Sequence, residues 1–124
     1  MSHISKIELE VNDLGVLSQA CTQLGLKFVR EQHSFKWFGK DSTCSHVIKV
    51  PDGKYEIGVL NQSGRYDLVC DYYDPKIEQT IGCQGGLLKQ AYAVARTKIE
   101  ARRKGYSIVE QKTDTGIRLH VRLT

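Results

Sequence analysis

No two of the four cysteines, Cys21, Cys44, Cys70 and Cys83, stand in CxxC spacing. A structural zinc site usually supplies at least one such close pair, so no metal site is expected. No run approaches the ~20 apolar residues of a membrane span. Met1-Ser2-His3-Ile4 opens no secretory signal, which points to an intracellular, soluble protein. A chain of this size needs no covalent staple, so the cysteines are read as buried, reduced thiols. With only two prolines and no Pro/Gly/Ser tract, nothing divides the chain, and residues 1–124 are expected to form one domain.

Catalytic signatures are equally scarce. His3, His33, His46 and His120 are scattered, with no HExxH pattern, and no nucleophile elbow is present. "GCQGG" at 82–86 lacks the spacing of GxGxxG or of a P-loop. Glycines linking two helical segments is the preferred reading there, with an anion cradle as the alternative. Neither an RRM-type aromatic motif nor a helix-turn-helix pattern is visible. No cofactor is expected.

What is present is ordinary globular material, 40% hydrophobic and 26% charged. Ile7, Leu9 and Val11 alternate with Lys6, Glu8 and Glu10, the pattern of a half-exposed strand. Asn12 or Asp13 can cap a short helix closed by Gly25. Strands follow near Lys27–Arg30, Phe35–Phe38 and Cys44–Val50, then a hairpin of "YEIGVL" and "RYDLVCDYY" around "NQSG". In its second strand Asp67, Val69, Asp71 and Tyr73 share one face, which leaves the Asp71 carboxylate exposed and unpaired. Asp74 as N-cap and Pro75 at the first helical position suit a helical turn. A long helix from about Gly86 to Lys104, with Leu87, Leu88, Ala91, Tyr92, Ala95 and Ile99 as its buried face, precedes a second hairpin around "TDTG". The order β-α-β-β-β-β-α-β-β predicts an α+β domain. Its mainly antiparallel sheet carries helices on one face, in a decorated ferredoxin-like arrangement.

Charge is uneven: nine basic and three acidic residues from Lys89 onward, against nine and eleven before it. Lys89, Arg96 and Arg103 recur every seven residues beside Tyr92. Glu100 lies four residues from Arg96 and from Lys104, so this stripe is either an internally paired solvated face or an anion site. Arg118, His120 and Arg122 form a second row on one face of the last strand. If that strand pairs with the first, Glu8 and Glu10 sit across from the row and neutralise it.

Three functions are weighed. The preferred one is a non-catalytic accessory or regulatory protein that binds a protein or anionic partner through the two basic rows, with the exposed Tyr73 as a further contact. The second is nucleic-acid binding by the same residues. The third is an enzyme built on Asp71, Tyr73 and an adjacent histidine such as His46. Asp67 and Asp71 cannot be a catalytic pair alone, since four residues of strand separate them by roughly 13 Å.

The "MSHISKIE" opening, Asp13-Leu14, "YEIGVL", "LVCDYYD", Tyr92 and "EARRKGYSI" occur together in this order. In them the chain resembles the hypothetical chloroplast reading frame thirty-five family, a domain of unknown function in cyanobacteria, red-algal plastids and some phages. Where that family often has tryptophans after the aspartate, this chain has Tyr72 and Tyr73. The resemblance implies a small stand-alone protein of a plastid stroma or of a bacterial or phage-infected cytoplasm. It implies no catalytic residues.

Overall fold

In a computed structural model, residues 4–123 are described. His3 lies outside them. Strand β1 (Ser5–Val11) leads into helix α1 (Leu14–Gln23). Asp13 caps this helix, its Oδ1 accepting from the Gly15 and Val16 N–H groups at 2.8 and 3.3 Å. Then come β2 (Lys27–Arg30), β3 (Ser34–Trp37), β4 (Lys40–Thr43), β5 (His46–Lys49), β6 (Glu56–Gln62) and β7 (Arg65–Cys70). Helix α2 (Pro75–Ile81), one 3-10 turn at Cys83–Gly85 and helix α3 (Gly86–Arg103) follow, and β8 (Tyr106–Thr113) and β9 (Gly116–Leu123) close the fold.

The main sheet has the order β1-β7-β6-β5-β2, every neighbour antiparallel. Alternation sorts its residues. Ile7, Ile48, Ile57, Val59 and Leu68 join Leu17, Ala20, Ile77, Ile81, Leu88 and Ala95 of the helices in one core. The opposite sheet face is covered by the β3–β4 hairpin, whose Phe35 forms a smaller core with Cys44 and Val47, flanked by Leu60 and Val69. Gly58 makes this second layer fit: a methyl there would lie 2.5 Å from Phe35 Cδ1. A glycine inside an apolar strand marks such a close approach.

The α+β architecture and the expected hairpins are present, with six strands between α1 and α2 where the order written above has four, β4 among them unforeseen. Leu87 is exposed instead of buried, because it lies at the edge of the apolar stripe of α3, whereas Leu88 beside it is fully in the core. The glycine-rich link folds tightly: Gly82, Gln84 and Gly85 all adopt positive φ. A Cβ on Gly85 would meet Ile7 Cγ2 at 2.8 Å. The segment joins two helices, as its composition suggests.

β8 and β9 form a separate two-stranded ribbon, in register from Tyr106↔Leu123 to Thr113↔Gly116. The ribbon rests on α3, where Lys98 and Glu110 form an ion pair and Gly116 approaches Gln90. β1 pairs with β7 instead, so Glu8 and Glu10 do not lie across from the last strand.

Candidate functional site

The ribbon alternates from Tyr106 to Gln111. Tyr106, Ile108 and Glu110 are half-buried, whereas Ser107, Val109 and Gln111 are exposed. On β9, Arg118, His120 and Arg122 are exposed as well, and the register sets them beside Gln111, Val109 and Ser107. This outer face therefore holds three cationic or titratable side chains beside three neutral ones, with no acid among them. His120 Nε2 and Gln111 Oε1 lie 3.2 Å apart. The nearest carboxylate on β8, Glu110, belongs to the inner face and is tied to Lys98. Inside, the ribbon and α3 bound a cleft of about 330 Å³ floored by Leu24, Leu87, Ala91, Val94 and Ile117.

Lys89, Arg96 and Arg103 occupy another place. At 100° per residue they lie roughly 160° around α3 from Gln90, Val94 and Lys98, on which the ribbon rests. Arg96 Nε contacts Glu100 Oε1 at 3.3 Å, the pairing expected at this spacing. Arg96 and Arg103 border a shallow hollow that also includes Asp13 and Glu100, and Lys89 borders one with Lys6 and Glu8. The helical row thus has acids among its neighbours, and the structure does not join it to the ribbon row.

The Asp71–Asp74 turn is built by its carboxylates. β7 ends at Cys70, so the strand alternation does not reach Asp71. Asp71 is buried at 2% exposure, contrary to the expected exposed carboxylate. Its Oδ1 accepts from the Tyr73 N–H at 2.9 Å, and Oδ2 has no partner among the described residues. Asp74 caps α2 through the Lys76 N–H at 3.0 Å, the role its position before Pro75 predicts. Its Oδ2 also takes the Lys54 and Tyr55 N–H groups at 2.7 and 2.9 Å. Burial pushes this carboxyl upward, but the Tyr55, Lys76 and Lys54 donors and the Lys54 charge outweigh it and hold Asp74 below its ordinary value.

The turn presents Tyr73, which is 64% exposed. Phe38 meets it edge-on at 5.9 Å, and Tyr55 stacks on it at 6.4 Å. Phe38 holds φ 44 at the tip of the β3–β4 hairpin, an unusual conformation for an aromatic residue. Phe38 and Tyr55 were not singled out from the sequence; the aromatic pair before Gly39 in "KWFGK" is the signal that marks this tip.

His46 is buried, as a structural histidine should be, and its Nδ1 accepts from the Glu31 N–H at 3.0 Å. Burial lowers its pKa, Glu31 counteracts, and Arg30 and His33 lower it further. His46 is level with Val59 and hence with Leu68, two strands away. Asp71 lies three residues beyond Leu68, just past the end of β7, roughly 14 Å from His46 at standard strand spacings. Asp71, Tyr73 and His46 do not converge on a common point.

Cys21, Cys44 and Cys70 are buried, and burial pushes the Cys21 and Cys70 thiols up to about 12. Cys83 is exposed in the link between α2 and α3, correcting the expectation of four buried thiols. No group of three or more His, Cys, Asp or Glu among the described residues is placed to hold a metal ion. No described helix is long and apolar enough to cross a membrane.

No solved structure matches the chain. It is 27% identical over 123 residues to the "Uncharacterized protein ycf35" of Pyropia yezoensis, covering 98% of this chain and 96% of that one. A protein of the same description from Guillardia theta is 30% identical over 71 residues, 57% of this chain and 56% of its own length. Residues 20–121 match the family described as "Protein of unknown function (DUF1257)". The match spans β2 through most of β9, including the Lys89/Arg96/Arg103 row, Arg118, His120 and the Asp71–Asp74 turn but not Arg122, and the chain belongs to that family.

Proposed function

We propose that this protein is an accessory binding module, without chemistry of its own, that takes an anionic partner on the outer face of the β8–β9 ribbon. One observation carries the reading: Arg118, His120 and Arg122 project beside Ser107, Val109 and Gln111, with no carboxylate side chain on that face among the described residues. Exposed cations without an internal partner attract an anionic surface and speed the encounter with it. The Lys89/Arg96/Arg103 row is the weaker candidate, because Glu100, Asp13 and Glu8 share its surroundings. The protein would work in a plastid stroma or in the cytoplasm of a bacterial or phage-infected cell.

Retention on immobilised heparin tests the assignment without a known partner. Replacing Arg118, His120 and Arg122 by glutamine lowers the salt concentration needed for elution. Alanine at Lys89, Arg96 and Arg103 shifts it less. The opposite ranking would move the interface to the helical row, and a wild-type protein that is not retained would remove the reading.

A further inference from the structure

We infer that the anionic partner is double-stranded DNA, and that the ribbon enters its major groove with the Arg118/His120/Arg122 face against the base edges. The inference rests on the proposed anion-binding role of this face and adds shape and chemistry to it. The ribbon has two strands and no third, and it is backed by α3 on one side only. Two strands about 5 Å apart, with their side chains, fit a B-form major groove about 12 Å wide. A wider sheet would be excluded. Eight residues per strand give a ribbon on the order of 27 Å long, comparable with one helical turn of duplex.

The outer face also has the chemistry that groove reading requires. Arg118 and Arg122 present forked donors suited to guanine O6 and N7, and Gln111 presents the amide that pairs with adenine N6 and N7. Val109, 45% exposed, is an apolar surface for a thymine methyl. The Gln111–His120 hydrogen bond orients both side chains across the strands. At the end of α3, Arg102, Arg103 and Lys104 are exposed next to the start of β8, where they can meet flanking phosphates.

The occupant is distinguished by its groove. A-form RNA has a deep, narrow major groove closed to such a ribbon, so duplex RNA of equal charge is the control. Fluorescence anisotropy would compare labelled duplex DNA, duplex RNA of the same sequence, single-stranded DNA and poly-glutamate at about 50 mM salt. The expected result is at least tenfold tighter binding of duplex DNA than of any other probe. Arg118→Gln with Arg122→Gln should lose tenfold or more of that affinity, with an unchanged thermal melt and circular dichroism spectrum. Lys89→Gln with Arg96→Gln should retain it. Equal affinity for duplex DNA and duplex RNA, or preference for poly-glutamate, would overturn the DNA assignment and leave anion binding standing. Binding of none of the probes would overturn both.

Discussion

Tyr55 donates its backbone N–H to Oδ2 of Asp74 at 2.9 Å, tying the loop before β6 to the cap of α2 nineteen residues on. With Lys54 and Lys76, this one buried carboxylate satisfies three N–H groups. Asp74→Ala should therefore cost more than a simple cap. Loss of the cap is worth about 1 kcal/mol, and the stranded donors bring the total to roughly 3 kcal/mol. A chemical denaturation midpoint measured for both proteins checks this. The folded pKa of Asp74 is lowered, so its contribution is complete above the ordinary value of 3.8 and disappears as pH falls through the folded value. In Asp74→Ala that part of the acid-induced loss should be missing.

A second acid-sensitive step belongs to His46. Its folded pKa lies below 6.5, so the unfolded chain binds the proton first. Stability is complete above 6.5 and is lost as pH falls through the depressed folded value. Protonation also removes the acceptor for the Glu31 N–H. His46→Asn keeps an acceptor but cannot titrate. Thermal melts at pH about 7, 6 and 5 should show a slope in the wild type that flattens in this variant. An unchanged slope would assign the transition to another group.

The cysteines separate by burial. Under native conditions a small aromatic disulfide reagent should modify Cys83 within minutes, while Cys21, Cys44 and Cys70 react at the rate of unfolding. Cys83→Ser should abolish the fast phase. A fast phase of more than one thiol would mean that the helix layer opens readily.

Features controlled by neighbours in sequence are legible in the sequence alone. Asp74 before Pro75, Gly25 after α1 and the "TDTG" turn each report a local backbone geometry. Charge across the ribbon was not legible, because the β9 row is neutralised or left cationic depending on whether β1, with Glu8 and Glu10, also pairs with that strand. Phe35 over Gly58 is another long-range fact, hinted at only by a glycine in an apolar strand. The aromatic group of Phe38, Tyr55 and Tyr73 joins three separate segments and has no single signature. Alternation misplaced Asp71 for a simple reason: period two holds only while the strand continues, and β7 stops one residue earlier.

Asp71 consequently supports a different prediction from the one its sequence position suggests. Its carboxylate is buried and fixes the Tyr73 N–H, so Asp71→Ala should cost about 1–2 kcal/mol through the stranded donor. Asparagine forms the same side-chain turn with its own Oδ1 and should melt close to the wild type. The two variants also separate a structural from a chemical role. If Asp71 only shapes the turn, Asp71→Asn retains full binding to duplex DNA or heparin, and Asp71→Ala retains it at temperatures where the protein remains folded. Should Asp71→Asn fold normally yet lose function, the carboxylate itself, including the Oδ2 atom left without a described partner, would have to take part.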